Sequence, residues 1–157
     1  MAHHGTRIEI AWNRLAPFPG GRWIFARLLG RMVPYSGTIR PLVLELEPGR
    51  ARVAIRARRR VRNHLGSIHA LALANLAELA SGLAMTLALP RDARGIPVRI
   101  EIDYLKKARG RIVAEGRAAP PTAVLGPMDG RATAELRDSA GDVVARATVT
   151  WRLAPRE

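Results

Sequence analysis

Glu78 is the one acid in a long apolar run, NHLGSIHALALANLAELASGLAMTLAL, from Asn63 to Leu89. Apolar surroundings strip water from a carboxylate and raise its pKa. Such a group serves as a general base for water, or attacks an acyl carbon itself and forms an anhydride. The sequence leaves both open. On a helix, Asn75, Glu78 and Gly82 fall at i, i+3 and i+7 and share one face. The same helix has a first turn whose N–H groups lack intrahelical partners. Aimed at a developing oxyanion, each such donor is worth about 3 kcal/mol. The competing structural role is a pairing of Glu78 with Asn75, or with an Arg across an interface, since buried charges are normally paired. His64 and His69 stand five apart with no third ligand nearby, so no metal site is expected. Ser67 lacks the His–Asp company of a nucleophile and reads instead as a helix cap.

The elements that position these groups follow from periodicity. Ser67 to Leu89 reads as one helix, rich in Leu and Ala and free of proline until Pro90. It is apolar nearly all round, as a core helix or a membrane span would be. Glu78 at mid-span argues for the core, because an ionisable group there is costly in lipid. Residues 8 to 33 read as a helical lead-in broken by Pro17, Pro19, Gly20 and Gly21. Its second piece, Arg22 to Val33, repeats Ile24, Leu28 and Met32 and is expected to cover an open sheet with that stripe, with a membrane-surface helix as the other possibility.

From Arg40 the period becomes two. Leu42, Leu44 and Leu46 alternate with Val43, Glu45 and Glu47, Pro48-Gly49 makes a turn, and Val53, Ile55 and Ala57 alternate with Arg52, Ala54, Arg56 and Arg58. The run Arg58 to Arg62 ends this second strand. It is either a solvated edge or a rim for phosphates. Pro90 to Pro97 reads as a loop. Strands follow at 98–104, 112–119, 131–137 and 143–153, with connections short enough for an antiparallel meander. A six-stranded sheet curled around the long helix would explain why that helix is apolar on every side.

The 157 residues suit one domain with a real core. There are no cysteines, which excludes disulfides and thiol chemistry. The start, MAHHGTRIEIAW, has no signal-peptide pattern, and a cytoplasmic location is expected. His3 and His4 are assigned no role. The net charge of +13 raises nucleic acid as a partner. The basic residues are spread along the chain, and seven aromatics are few for stacking bases, so neither nucleic acid nor a membrane is the expected partner. An anionic ligand such as coenzyme A suits the charge better.

The pattern Asn63, Gly66, His69, then Glu78 nine residues on, resembles the hotdog-fold thioesterases of the phenylacetate-degradation type. The order of elements resembles that family over residues 40 to 154, and runs such as NHLGSIHALAL resemble a poorly characterised branch of it. The resemblance implies an α+β hotdog domain over 1–157. Its core would be 40–154, a six-stranded antiparallel sheet around a central helix, and 1–39 would be an added helical lead-in. It implies an acyl-CoA thioesterase. Glu78 would be base or nucleophile. Asn63 would orient the thioester or water, the Ala70 N–H would polarise the carbonyl, and His69 would support the turn. Gly66, Leu71 and Asn75 would border the substrate, and Arg58, Arg60 and Arg62 would meet phosphates. Coenzyme A enters as part of the substrate, with no metal or other cofactor. The site would lie between subunits of a homodimer or homotetramer. Where the family usually has Gly-Gly after the His, this chain has Ala70-Leu71, and its acid is Glu rather than Asp. The alternative on the same fold is a protein that binds acyl-CoA or an acyl carrier without turnover.

Overall fold

The computed structural model describes residues 4–156; His3 lies outside them. Three helices lead in: α1 (His4–Leu15), α2 (Gly21–Met32) and the single turn α3 (Pro34–Gly37). Strands β1 (Leu42–Glu47) and β2 (Arg50–Arg56) form a hairpin, followed by the long helix α4 (Ala70–Ala88). Strands β3 (Ala93–Tyr104), β4 (Arg111–Ala118), β5 (Met128–Arg137) and β6 (Val143–Pro155) complete the chain. All six strands join one antiparallel sheet in the order β1-β2-β4-β5-β6-β3. It curves around α4, which touches every strand.

This burial explains the apolar composition of α4. Leu76, Ala77, Ala80, Ala84 and Met85 are inaccessible to solvent, and the helix that is long and apolar enough for a bilayer is instead the core of the sheet. The approach is closest at Gly116 of β4, where a Cβ would lie 2.2 Å from the Ala80 carbonyl. Only glycine lets the helix backbone sit there.

Several expectations need correction. The long helix starts at Ala70 rather than Ser67, and its N-cap is His69, whose Nδ1 accepts the Leu71 N–H at 3.1 Å. Ser67 is buried and its hydroxyl donates to Asn63 Oδ1, so it is not available as a cap. On α2 the buried face is Gly21, Phe25 and Leu29, whereas Ile24, Leu28 and Met32 are exposed. Both triplets have the same four-residue spacing, and periodicity alone does not choose between them. Gly21 decides the phase, because it lies against the Leu15 carbonyl where no Cβ fits. In β1 a register shift between Val43 and Glu45 breaks the alternation, and Val43 and Leu46 face inward.

The supposed loop from Pro90 to Pro97 is half strand. β3 begins at Ala93, and Pro97 is accommodated because β3 is an edge strand with one paired side. The meander holds for β4-β5-β6 only. α4 carries the chain across the sheet, so β3 lands beside β6 at the far edge and β4 returns to pair with β2. Finally, β2 ends at Arg56, and the arginine run continues as a 3₁₀ turn over Arg59–Val61 rather than as strand.

Candidate functional site around the ends of α4

The chain between the arginine run and α4 is a tight turn built by Asn63. Its Oδ1 accepts three hydrogen bonds, from Leu65 N–H (3.0 Å), Ser67 N–H (3.1 Å) and the Ser67 hydroxyl (3.2 Å). The oxygen is therefore committed to the turn, and only the side-chain NH₂ is left to meet a ligand. Gly66 has φ +73, with nothing within 4 Å of a would-be Cβ. It serves the turn through its backbone conformation. The turn is tied down by Asn63 N–H to Ser67 C=O (2.8 Å) and His69 N–H to Val61 C=O (2.8 Å).

The first turn of α4 then presents one free donor. Leu71 N–H is held by His69 Nδ1, and Ala72 and Leu73 N–H both reach His69 C=O at 2.9 and 3.1 Å. The Ala70 N–H has no partner among the described residues, and Ala70 is exposed. On its other side the Ala70 carbonyl accepts from the Tyr104 hydroxyl at 3.0 Å, which clamps the turn to the end of β3. Tyr104 was not foreseen as part of this region. Nothing in the sequence signals that the last residue of a strand meets the start of a helix 34 positions earlier.

Eight residues on, Glu78 lies half-buried in the core helix. Burial pushes its carboxyl above the usual carboxylate range. Neither Asn75 nor any arginine of the same chain pairs with it among the described residues; Asn75 turns instead to the Tyr35 carbonyl. Gly82 lies beside it, next to the Trp151 ring: a Cβ there would be 3.5 Å from Glu78 Oε1 and 3.4 Å from the ring, in ordinary contact with both. The Trp151 Nε1 is itself buried with no acceptor. Along the helix axis Glu78 is about 12 Å from Ala70.

A pocket of about 660 Å³ opens beside the α4 N-terminus. Arg58, Arg60, Arg62, His69, Leu71 and Asn75 line it, and α3 and its exit supply the opposite wall through Tyr35, Thr38 and Arg40. Of the residues singled out from the sequence, these six are therefore brought together. Asn63, Gly66, Ala70 and Glu78 do not line it. Leu71 is 64% exposed and forms wall rather than plug. Asn75 is buried, donates to the Tyr35 carbonyl at 3.3 Å, and leaves Oδ1 without a partner. Among the described residues no three His, Asp or Glu side chains gather as a metal set.

The family model described as "Domain of unknown function (DUF4442)" matches residues 21–153. No curated protein matches the chain. Among solved structures, the structural-genomics protein APC5556 is 29% identical, with a TM-score of 0.81 over 96% of this chain and 97% of its own. A thioesterase family protein from Silicibacter pomeroyi is 21% identical, with a TM-score of 0.70 over 83% of this chain and 96% of its own. A mutant of the phenylacetic acid degradation protein PaaI from Thermus thermophilus is 24% identical, with a TM-score of 0.65 over 76% of this chain and 97% of its own. The sheet wrapped around α4 is thus the α+β hotdog fold, and the chain belongs to the DUF4442 family.

Proposed function

We propose that the protein is a thioesterase that hydrolyses acyl-coenzyme A, with its site assembled between two copies of the chain. The observation that carries the reading is Glu78: an unpaired, desolvated carboxylate in the middle of a core helix, beside Gly82 and the Trp151 ring. A buried acid without a partner costs stability, and such groups concentrate where chemistry is done. The free Ala70 N–H supplies a donor for the thioester oxygen. The gap of about 12 Å between the two is bridged when Glu78 of one protomer faces the Asn63–Ala70 turn of another. β3 suits a partner strand, since it is a free edge on which Ile96, Val98 and Ile100 are exposed. The named thioesterases among similar structures support the same reading.

In the hydrolysis, water attacks the carbonyl carbon while Glu78 takes its proton. The charge on the carbonyl oxygen collapses back, the C–S bond breaks, and the thiolate leaves and is protonated, giving acid and free thiol. If Glu78 attacks instead, the thiolate leaves first and water then cleaves the anhydride. Arg58, Arg60 and Arg62 hold the coenzyme's phosphates, and no metal or redox cofactor takes part. A cytoplasmic location belongs to the same proposal. One observation favours the binding-only alternative: Asn63 Oδ1 is spent on the turn and cannot hold a water.

The test is free-thiol release from short, long and aromatic acyl-CoAs, with Glu78→Gln beside the parent. Release that falls by roughly 10²–10⁴ in Glu78→Gln supports the assignment. Acyl-CoA bound but left intact by the folded parent overturns hydrolysis in favour of binding alone.

A further inference from the structure

A second groove, of about 910 Å³, lies on the other side of α3 from the pocket at the α4 N-terminus. Five arginines line it, from four parts of the chain: Arg27 on α2, Arg40 after α3, Arg56 and Arg58 at the end of β2, and Arg111 at the start of β4. No carboxylate lines it, and none of the five has an ion pair among the described residues. Arg56 and Arg111 stand directly opposite each other in the β2–β4 register. Like charges at such a position repel.

The other end of the same strand pair shows how this chain handles that problem elsewhere. Arg50 and Arg117 are also opposite each other, and Glu115 bonds to both. At the Arg56–Arg111 end no such acid is supplied. Arg40 adds a second cost, since it is the one non-glycine residue with positive φ among those described (φ 50). Strained backbone of this kind gathers at ligand clamps. Arg58 is held below the ordinary guanidinium range by burial and by its neighbours Arg40 and Arg60, and its Nη2 donates to the Thr38 carbonyl at 3.3 Å.

The rest of the wall is largely apolar, and one aromatic side chain belongs to it. Trp23 lies in the groove lining and is 58% exposed, with the Arg27 guanidinium over its ring at 4.1 Å from the centroid. A guanidinium cluster with no internal counter-charge matches phosphate, and an accessible indole beside it matches a planar base.

We propose that this groove is a binding site for a nucleoside phosphate, with Arg56, Arg111 and Arg40 on the phosphates and Trp23 stacked on the base. Arg40 and Arg58 border both this groove and the pocket at the α4 N-terminus. A bound nucleotide is therefore either free or the nucleotide end of a longer molecule that continues into the pocket. The site does not rest on the thioesterase reading, because its binding is measured without turnover.

Calorimetric titration of the full chain with ADP, pyrophosphate and adenosine tests it. ADP binds at least tenfold tighter than either fragment. Arg56→Ala combined with Arg111→Ala weakens ADP tenfold or more. Trp23→Ala weakens ADP but not pyrophosphate. Arg146→Gln, on β6 where that arginine is paired with Glu135, leaves ADP unchanged. Thermal melts show that each variant is folded, and Arg56→Gln is the substitute should the double variant not fold. Competition of ADP with acyl-CoA in thiol release identifies the nucleotide end of the coenzyme as the occupant, and binding without competition identifies a free nucleotide. The proposal is overturned by any of three results: no ADP binding, pyrophosphate bound as tightly as ADP, or a single-stranded oligonucleotide bound a hundredfold tighter than ADP with loss in the same variants.

Discussion

Two arginine-rich surfaces of this protein are built on opposite rules. Over most of the sheet face turned away from α4, beyond the Arg56–Arg111 end of the β2–β4 pair, arginines are interleaved with acids. Arg50 reaches Glu45, Glu47 and Glu115, Arg52 reaches Glu45, Arg117 shares Glu115, and Arg137 and Arg146 share Glu135. Around α3 and the end of β2, Arg27, Arg40, Arg56, Arg58, Arg60, Arg62 and Arg111 have no acid at all among the described residues. The net charge of +13 is thus not a uniform property of the surface. The paired face is a solvated exterior whose ion pairs are individually weak. The unpaired one sets like charges side by side, an arrangement that a bound anion would favour. Glu78 is its complement, an acid kept without a base in the core helix.

The largest expected effect concerns that acid. Glu78→Gln removes thiol release by roughly 10²–10⁴. In the parent, kcat/KM falls as pH drops through the carboxyl's raised pKa, so the acidic limb of the profile lies above the ordinary carboxylate range. Stability runs the other way. An acid whose folded pKa is raised is at its least costly when protonated, so its penalty appears as pH rises through that pKa. Glu78→Gln therefore raises Tm at pH 7 and leaves it nearly unchanged at pH 4, as thermal melts at the two values would show. An unchanged Tm at pH 7 breaks the picture of a desolvated charge.

Next in size is the tenfold or greater loss of ADP affinity on removing Arg56 and Arg111 together. A sharper version is Arg56→Glu, which gives Arg111 an acidic partner like the one Arg117 already has at the other end of the strand pair. It raises Tm through a new cross-strand pair worth about 0.2–1 kcal/mol while lowering ADP affinity. A fall in Tm would mean that the Arg56–Arg111 opposition is not felt in the unliganded protein.

The smallest effects belong to the paired face. Glu115→Gln leaves Arg50 and Arg117 opposed and lowers Tm by about 2 °C. Hydrogen bonds from Arg50 and then Arg117 hold the Glu115 carboxyl below its ordinary range, and those from Arg146 and then Arg137 do the same for Glu135. The stability they confer is present above the unfolded carboxylate pKa and disappears as pH falls through the depressed folded values. Acid titration of Tm in Glu115→Gln is correspondingly flatter than in the parent.

Much of this was legible in the residues. The apolar run broken by Glu78 announced a core helix with one carboxylate in it. Period-two alternation located most of the sheet, and the Asn63-Gly66-His69 spacing marked the turn before the helix. These are local signals, carried by the spacing of side chains along one segment. What needed the tertiary structure was the choice among equivalent local patterns. Ile24-Leu28-Met32 and Gly21-Phe25-Leu29 have the same period, and only contact with Leu15 selects the second. β3 alternates like its neighbours, yet the crossover through α4 sends it to the far edge. Charge divides the same way. Composition counted the arginines, but whether each one meets an acid depends on strand register and on where α3 docks. Those are set by packing between segments distant in sequence, which no single stretch of the chain encodes.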